Sequence, residues 1–474
     1  APTEANLAKH QVLICAGTGC TSNKSAEVKD ALEAKLAAEG MDKEIQVVQT
    51  GCFGFCSLGP IMVVYPEGTF YNKVEAKDID EIVEKHFKNG ELVERLLYTI
   101  PGTKEHAKDM QHIPFFQKRC DYCDFYTMAG RGDLFAPYTA ALLHALDTAP
   151  LPRGSRVDTV YFGGGTPTML GADRLCTVLE GIRQRYDLVP DAEITLEANP
   201  IAITPKMAAA LRQGGFNRIS MGLQSASPAQ LRDLGRTHTA EKAAEAVQIV
   251  RAAGFRNLSL DLMLGLPHQT VEEVLGSIRF AAELGAVHLS AYMLQLEEGT
   301  PYAARYTEQD IDEETQRQIY LAAIAELERL GFHQYEISNF ARPGFESRHN
   351  LRYWRCEEYL GVGPAAASCL GGRRFVFPRD IDAFLRAENP WSLCEDEGEA
   401  GSPEERVAMA LRLREGLDCT ALEAACPGYD AGVMLQRASR PELRELCTVT
   451  GRTITLTPEG FLVEGSLIPF LLWG

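Results

Sequence analysis

The sequence has no run of eighteen consecutive apolar residues, so no membrane-spanning helix is expected. Its first ten residues, APTEANLAKH, have no apolar core, so no signal peptide is expected there. Positive charge is scarce: 47 Lys and Arg stand against 65 Asp and Glu, a net charge of −18. A surface of that sign repels phosphate backbones and disfavours nucleic acid as a partner. Thirteen cysteines without an export signal point to a cytoplasmic protein. In a reducing compartment they are metal ligands or core thiols rather than disulfides. With 474 residues, 45% hydrophobic and 24% charged, the chain has room for about three globular domains.

Six of the cysteines are clustered: Cys15, Cys20, Cys52, Cys56, Cys120 and Cys123. The first four lie in residues 1–90, which read as strand (HQVLIC), helix (SAEVKDALEAKLAAEG), strand (EIQVVQT), hairpin (PIMVVYPEGTFYNKV) and helix (AKDIDEIVEKHF). Val28, Leu32 and Leu36 share one face of the first helix, with Ser25 as its cap and Gly40 as its stop. Ile79, Ile82, Val83 and Phe87 line one side of the second, and the hairpin turns at Pro66–Gly68. This order predicts a small thioredoxin-like α/β layer. The loops CAGTGC and GCFGFCSLG each place a thiol pair after a strand, and their glycines let the backbone wrap a cluster. Four thiolates suit a 2Fe–2S cluster. Zinc also accepts four, although these spacings are unusual for zinc ribbons, and plain thiols are the third reading. The stretch 8–98 resembles the thioredoxin-like 2Fe–2S ferredoxin domain of NADH-oxidising flavoprotein subunits of hydrogenases and complex I-like enzymes. That resemblance implies one-electron transfer, and hence a redox partner protein.

From Val157 onward strands alternate with helices: VDTVYFGG, AEITLEANP, NRISMGLQS, NLSLDLMLGLP and VHLSAYMLQLE are the strands. A βα repeat predicts a parallel sheet or barrel with its chemistry at the C-terminal strand ends. Those ends carry the GGGTPT turn (Gly164, Gly165, Thr166), then Glu197, then Gln224 followed by Arg236, then Asp261. Two carboxylates and an amide suit ribose hydroxyls and an ammonium group, and an arginine suits a carboxylate. Each residue alone is more simply a helix cap or an ion-pair member. At successive strand ends, downstream of a cysteine loop, they read as a ligand site for an amino-acid nucleotide.

The stretches CDYCDFYT, GGGTP, EANP, MGLQS, GRTH and GLPHQT resemble the radical S-adenosylmethionine (SAM) family. More narrowly they resemble oxygen-independent coproporphyrinogen III oxidase and its relative, the heme chaperone, from Cys120 to the C-terminus. YEISNFARPG and RHNLRYW point to the chaperone branch, as does Phe125, where the oxidase has a further cysteine. The resemblance implies a partial (β/α)6 barrel over 120–345, after a linker and junction at 91–119, with a 4Fe–4S cluster on Cys120 and Cys123. It implies that Gly164, Gly165, Glu197, Gln224, Arg236 and Asp261 line the SAM site with Thr166, and that Tyr122 packs beside the cluster. It places His349, Asn350, Tyr353 and Trp354 in heme handling, with His349 a candidate iron ligand. The plainer reading of HNLRYW is a His–Asn turn with Tyr and Trp in the core. Heme or porphyrin and a heme-acceptor protein are the implied partners.

The C-terminal region, 346–474, opens a polar linker at NPWSLCEDEGEAGSPEER, then a capped amphipathic helix at SPEERVAMALRLREGL, then short strands and a final helix. A small α+β winged-helix-like domain is predicted. The whole chain is therefore α/β: thioredoxin-like domain, radical SAM barrel, winged-helix-like end.

One position breaks the pattern. The radical SAM loop is C-x3-C-x2-C, and Phe116 stands where the first cysteine belongs. In the family three thiolates hold three irons, SAM chelates the fourth, and reduction cleaves the sulfonium to a 5′-deoxyadenosyl radical. Phenylalanine cannot replace a thiolate, although Asp121 or a distant cysteine could stand in. Met110 likewise stands where the family has a tyrosine on the first barrel strand. The tract LVERLLYTIPGTKEHAKDMQHIPFFQKR resembles the flavoprotein segment, which has an IPFF run, whereas the radical SAM family has HIPFC. The chain reads as two families joined inside IPF, near residues 114–120. Three functions stay open: a heme-chaperone-like protein with an impaired radical site, an active oxidase-like enzyme fed by its own 2Fe–2S domain, and a chimeric electron carrier in which only the ferredoxin domain works.

Overall fold

The computed structural model describes residues 10–15, 24–50, 59–65, 67–99, 106–107, 120–124, 126 and 132–474. The expectations for Cys20, Cys52, Cys56, Met110, Phe116 and Phe125, and for the junction, lie outside the described residues. The chain forms two compact units, Ala1–Lys118 with Met128–Leu134, and Arg119–Thr127 with Phe135–Gly474.

In the first unit four strands, β1 (His10–Cys15), β2 (Ile45–Thr50), β3 (Met62–Tyr65) and β4 (Thr69–Tyr71), form a sheet of order β2-β1-β3-β4. β1 pairs parallel with β2 and antiparallel with β3, the mixed pattern of a thioredoxin-like layer. The helix Ser25–Ala38 buries Val28, Leu32 and Leu36 against it, and Gly40 follows the helix at φ 70°. Ser25 does not cap this helix. Lys24 takes the N-cap position at φ 69°, and Ser25 lies one place further in, buried, its Oγ without a partner among the described residues. Ile79, Ile82 and Val83 are buried as the periodicity predicts. Two short strands, β5 (Tyr98–Thr99) and β6 (His106–Ala107), follow.

The second unit is built on a seven-stranded curled sheet, the half-barrel that the βα alternation predicts. Its parallel strands are β7 (Arg156–Phe162), β8 (Asp187–Ala198), β9 (Arg218–Gln224), β10 (Asn257–Leu264) and β11 (His288–Met293). Two short antiparallel strands, β12 (His333–Gln334) and β13 (Asn339–Ala341), complete the order β12-β13-β11-β10-β9-β8-β7. Helices such as Ala240–Ala252 and Val271–Glu283 cover the outer face, each started by a threonine cap, Thr239 and Thr270. Ile219, Met221, Leu223, Leu258, Leu260 and Leu289 are buried under them. Each such side chain contributes about 1.5–3 kcal/mol on removal from water.

The stretch expected to be a linker is instead structured. Glu395–Glu399 is a strand, β16, on the edge of a three-stranded sheet with β14 (Ala367–Leu370) and β15 (Arg373–Val376). Its acidic side chains are solvated, which made it look like a loop, but its backbone pairs with β15. The capped helix is present as Pro403–Ala410, with Ser402 Oγ accepting from Glu405 N at 3.2 Å. A small sheet of β17 (Leu417–Asp418), β19 (Thr453–Leu456) and β18 (Cys447–Thr450), with helices around it, closes the α+β end.

All three tryptophans, Trp354, Trp391 and Trp473, belong to the second unit. Leu260 is fully buried on β10, the middle strand. Leu260→Ala is expected to destabilise that unit by about 2–5 kcal/mol, read as a shifted urea transition in tryptophan fluorescence.

Candidate functional site

The parallel strands alternate polar and apolar residues, and the polar set faces the barrel lumen. Thr159 and Tyr161 on β7, Glu193 and Glu197 on β8, Ser220 on β9, and Ser259 and Asp261 on β10 are bonded to one another or to groups facing the same space. Tyr161 Oη donates to Glu197 Oε1 at 2.7 Å, and Ser220 Oγ donates to Asp261 Oδ1 at 3.2 Å. Ser259 Oγ is 2.8 Å from His288 Nδ1, whose ring meets Tyr335 Oη through Nε2 at 2.8 Å.

At the strand ends the predicted ligand residues converge. Glu197 also accepts from Gly164 N at 3.1 Å, so the glycine turn after β7 is tied to the end of β8. Gly163 has no room for a side chain: a Cβ there would lie 2.6 Å from Tyr161 Cε1 and 3.0 Å from Glu197 Oε1. On β9 the register with β10 shifts, and Gln224 adopts φ 67°. Its amide folds back over Gly222, where a Cβ would come 2.6 Å from Gln224 Nε2. Burial pushes the Glu197 carboxyl up to about 7, although the residue remains partly accessible from the cleft. Burial raises Asp261 as well, opposed by hydrogen bonds from Ser290 and Ser220.

The cysteine loop is anchored to the same strand ends. Arg236 donates from Nη1 to Cys120 Sγ at 3.1 Å and from Nη2 to Gly222 O at 2.9 Å. Asp121 N donates to Leu234 O at 3.2 Å, and Tyr302 N donates to Asp121 O at 2.8 Å. Arg305 pairs with Asp121 at 3.3 Å. Tyr122 packs on Leu234, Leu266, Leu294 and Tyr302, and burial raises its phenol so that it stays neutral. A guanidinium on Cys120 Sγ suits a metal-bound thiolate, which is an acceptor. Among the described residues no group of three or more Cys, His, Asp or Glu is placed to hold a metal ion. Glu197, Asp261, Gln224 and Arg236 together supply two carboxylates, an amide and a guanidinium on one rim, a donor and acceptor set that fits SAM. Thr166 sits in the turn after β7, its hydroxyl bonded to Gly165 O at 2.6 Å.

His349, Asn350, Tyr353 and Trp354 lie on the helix Arg348–Trp354. Glu193 receives the first backbone N–H groups of this helix, from Arg348 at 3.3 Å and His349 at 3.1 Å. Ser347 Oγ accepts from Asn350 N at 3.4 Å. His349 is half-buried, with Nδ1 2.9 Å from Thr159 Oγ1 and Nε2 2.8 Å from Tyr353 Oη. Burial, then Arg352 and Arg218, hold its pKa near 4, so the imidazole is neutral as a metal ligand must be. Both nitrogens are engaged, so iron ligation at Nε2 requires the Tyr353 bond to open. Trp354 lies under the Arg412 guanidinium, 4.7 Å from the ring centroid. A cavity of about 210 Å3 is lined by Tyr353, Trp354, Cys356, Tyr359, Arg374 and Glu405 among others. Small-molecule pockets usually span ~300–1,000 Å3, so this cavity is not a tetrapyrrole pocket in itself.

The sequence reading missed Thr159, Tyr161, Glu193 and Ser220. Their signal was the period-two appearance of polar residues inside strands whose alternate positions are buried Ile, Leu and Met. It also missed Arg305, which nothing in local sequence links to the cysteine loop.

The chain matches two family models: the Radical SAM superfamily over residues 110–281 and the thioredoxin-like [2Fe-2S] ferredoxin over residues 3–86. It is 35% identical to the heme chaperone HemW of Mycobacterium tuberculosis over 76% of this chain and 93% of that protein. It is 40% identical to HemW of Escherichia coli over 54% of this chain and 68% of that protein. Among solved structures, coproporphyrinogen III oxidase (HemN) of Escherichia coli matches with a TM-score of 0.65 at 24% identity, covering 76% of this chain and 88% of that one. That last likeness establishes the fold of the second unit.

Glu197 gives a pH signature of its own. Its carboxyl rises from an ordinary 4.5 to about 7 on folding. Between those values the folded chain holds a proton that the unfolded chain has released, so stability is lost as pH rises through that window. Glu197→Gln removes this term. In thermal unfolding from pH 5 to pH 8, its stability relative to the unchanged protein is expected to rise steadily with pH and to level off above pH 7.

Proposed function

The chain belongs to the radical SAM heme chaperone family that includes HemW, with a thioredoxin-like 2Fe–2S domain ahead of it, and on that premise we propose that it binds heme for delivery to an acceptor protein, with its own radical cluster site impaired by Phe116. The observation that carries this reading is the convergence, on one barrel rim, of Glu197, Asp261, Gln224 and Arg236 with Cys120, next to the helix that bears HNLRYW.

In this reading Cys120 and Cys123 would hold the cluster, with Phe116 unable to supply the third thiolate. A complete 4Fe–4S cluster with SAM supplies radical chemistry when both are bound and an electron arrives. The chain's own residues do the rest. Arg236 braces the Cys120 sulfur against β9. Glu197 and Asp261 receive hydrogen-bond donors of the nucleoside and ammonium, and Tyr122 seals the cluster side of the cleft. Cys15, buried at the end of β1, belongs with Cys20, Cys52 and Cys56 in the 2Fe–2S set. That domain would pass electrons from a redox partner protein to the barrel. The oxidase alternative is less favoured, because Phe125 stands where the oxidase has a further cysteine. The tract up to residue 119, with its flavoprotein-like IPFF run, supports a join between two families near residues 114–120.

The test is anaerobic reconstitution with iron and sulfide, reduction, and EPR with and without SAM. The unchanged chain is expected to give a 2Fe–2S signal that SAM leaves alone. Phe116→Cys is expected to add a 4Fe–4S signal that SAM alters. A SAM-sensitive 4Fe–4S signal from the unchanged chain would mean that another ligand replaces the missing thiolate, and the impaired-site reading would fall. Hemin should bind the unchanged chain in either case, and His349→Ala should weaken that binding at least tenfold in an absorbance titration, the loss of about one iron–imidazole bond's advantage over competing ligands.

A further inference from the structure

The carboxylate proposed for SAM and the imidazole proposed for iron share one neighbour. The Tyr161 ring stacks on His349 with centroids 5.1 Å apart and planes at 19°. The same residue donates its hydroxyl to Glu197 Oε1 at 2.7 Å. Tyr161 has little freedom elsewhere, because the bare Gly163 lies against its ring edge. His349 is fixed on its remaining sides by Thr159 at Nδ1 and Tyr353 at Nε2.

For His349 to take iron, Nε2 must leave Tyr353 and the ring must shift. The stack on Tyr161 resists that shift as long as Tyr161 is tethered to Glu197. A ligand that brings a hydrogen-bond donor to Glu197 competes with the Tyr161 hydroxyl for Oε1. The tether then slackens, and the histidine can move at smaller cost. A ligand shifts such an equilibrium only through its different affinity for the two arrangements, and the effect is reciprocal between the sites.

We infer that Tyr161 is a positioning residue that couples the two sites: a donor group on Glu197, such as the ribose hydroxyl or ammonium of SAM, favours iron capture by His349, and iron capture favours that donor. The inference rests on the heme reading given above and adds the route by which one site informs the other.

The test is hemin titration of the full chain by absorbance, without SAM. Tyr161→Phe keeps the stack and removes the hydroxyl, and Glu197→Ala removes the acceptor. Each is expected to bind hemin about five-fold more tightly or better, at the lower end of usual coupling strengths. The double variant is expected to be no tighter than the singles, because both break the same hydrogen bond. A general structural lesion would weaken binding instead. Unchanged, weakened or simply additive affinities overturn the coupling and leave the heme reading standing. Failure of the unchanged chain and the variants to bind hemin overturns the heme reading and the coupling with it.

Discussion

A polar side chain inside a barrel must find a partner on another strand or helix, because the outer face is sealed by apolar packing and an unpaired polar group there is costly. The second unit obeys this constraint with chains of bonds rather than isolated pairs. Ser259 meets His288, His288 meets Tyr335, and the Tyr335 hydroxyl accepts from Ser347 N at 3.3 Å. Ser347 then caps the helix that carries His349. Glu193 on β8 and Thr159 on β7 hold the same helix from the other side. The helix Arg348–Trp354 is therefore placed by β7, β8, β10 and β11 at once. Its position is a consequence of satisfying the lumen.

Burial that organises the lumen also sets its protonation. His349 and His288 are both driven to the neutral form, first by desolvation and then by nearby guanidinium charge. Burial also favours the neutral form of Glu197, here by raising its pKa to about 7, so its charge is weakly held near neutral pH. A carboxyl in that state accepts a cationic or strongly donating ligand readily, since the ligand restores the charge that burial opposes. The Tyr161 hydroxyl supplies part of that stabilisation in the free protein, which is why a ligand donor and Tyr161 act on the same oxygen.

The β/α order and the placing of Glu197, Gln224 and Asp261 at strand ends were legible in the sequence because they depend on local pattern: apolar periodicity and glycine turns. Strand boundaries agreed to within five residues on the parallel strands, the widest gap being the start of β8 at Asp187. Glu395–Glu399 misled because solvated acidic residues look the same on an edge strand as in a linker, and only backbone pairing tells them apart. Ser25 misled because a cap depends on the dihedrals of one residue, and here Lys24 takes the left-handed conformation instead. The pairings of Tyr161 with His349 and of Arg305 with Asp121 could not be found because they span 188 and 184 positions of the chain.

The supports of the cysteine loop and of the helix Arg348–Trp354 are physically separable among the described residues. The cysteine loop is held by Leu234, Tyr302, Arg305 and Arg236, all around the ends of β9 to β11. The helix Arg348–Trp354 is held by Glu193, Thr159 and Tyr335, which bond to the helix and the lumen rather than to that loop among the described residues. None of the hydrogen bonds that orient His349 comes from the cysteine loop among the described residues. The element between the two is Tyr161, which bonds Glu197 and stacks on His349. A change in the cysteine loop can therefore leave the placement of the His349 imidazole intact, because the two depend on different sets of bonds.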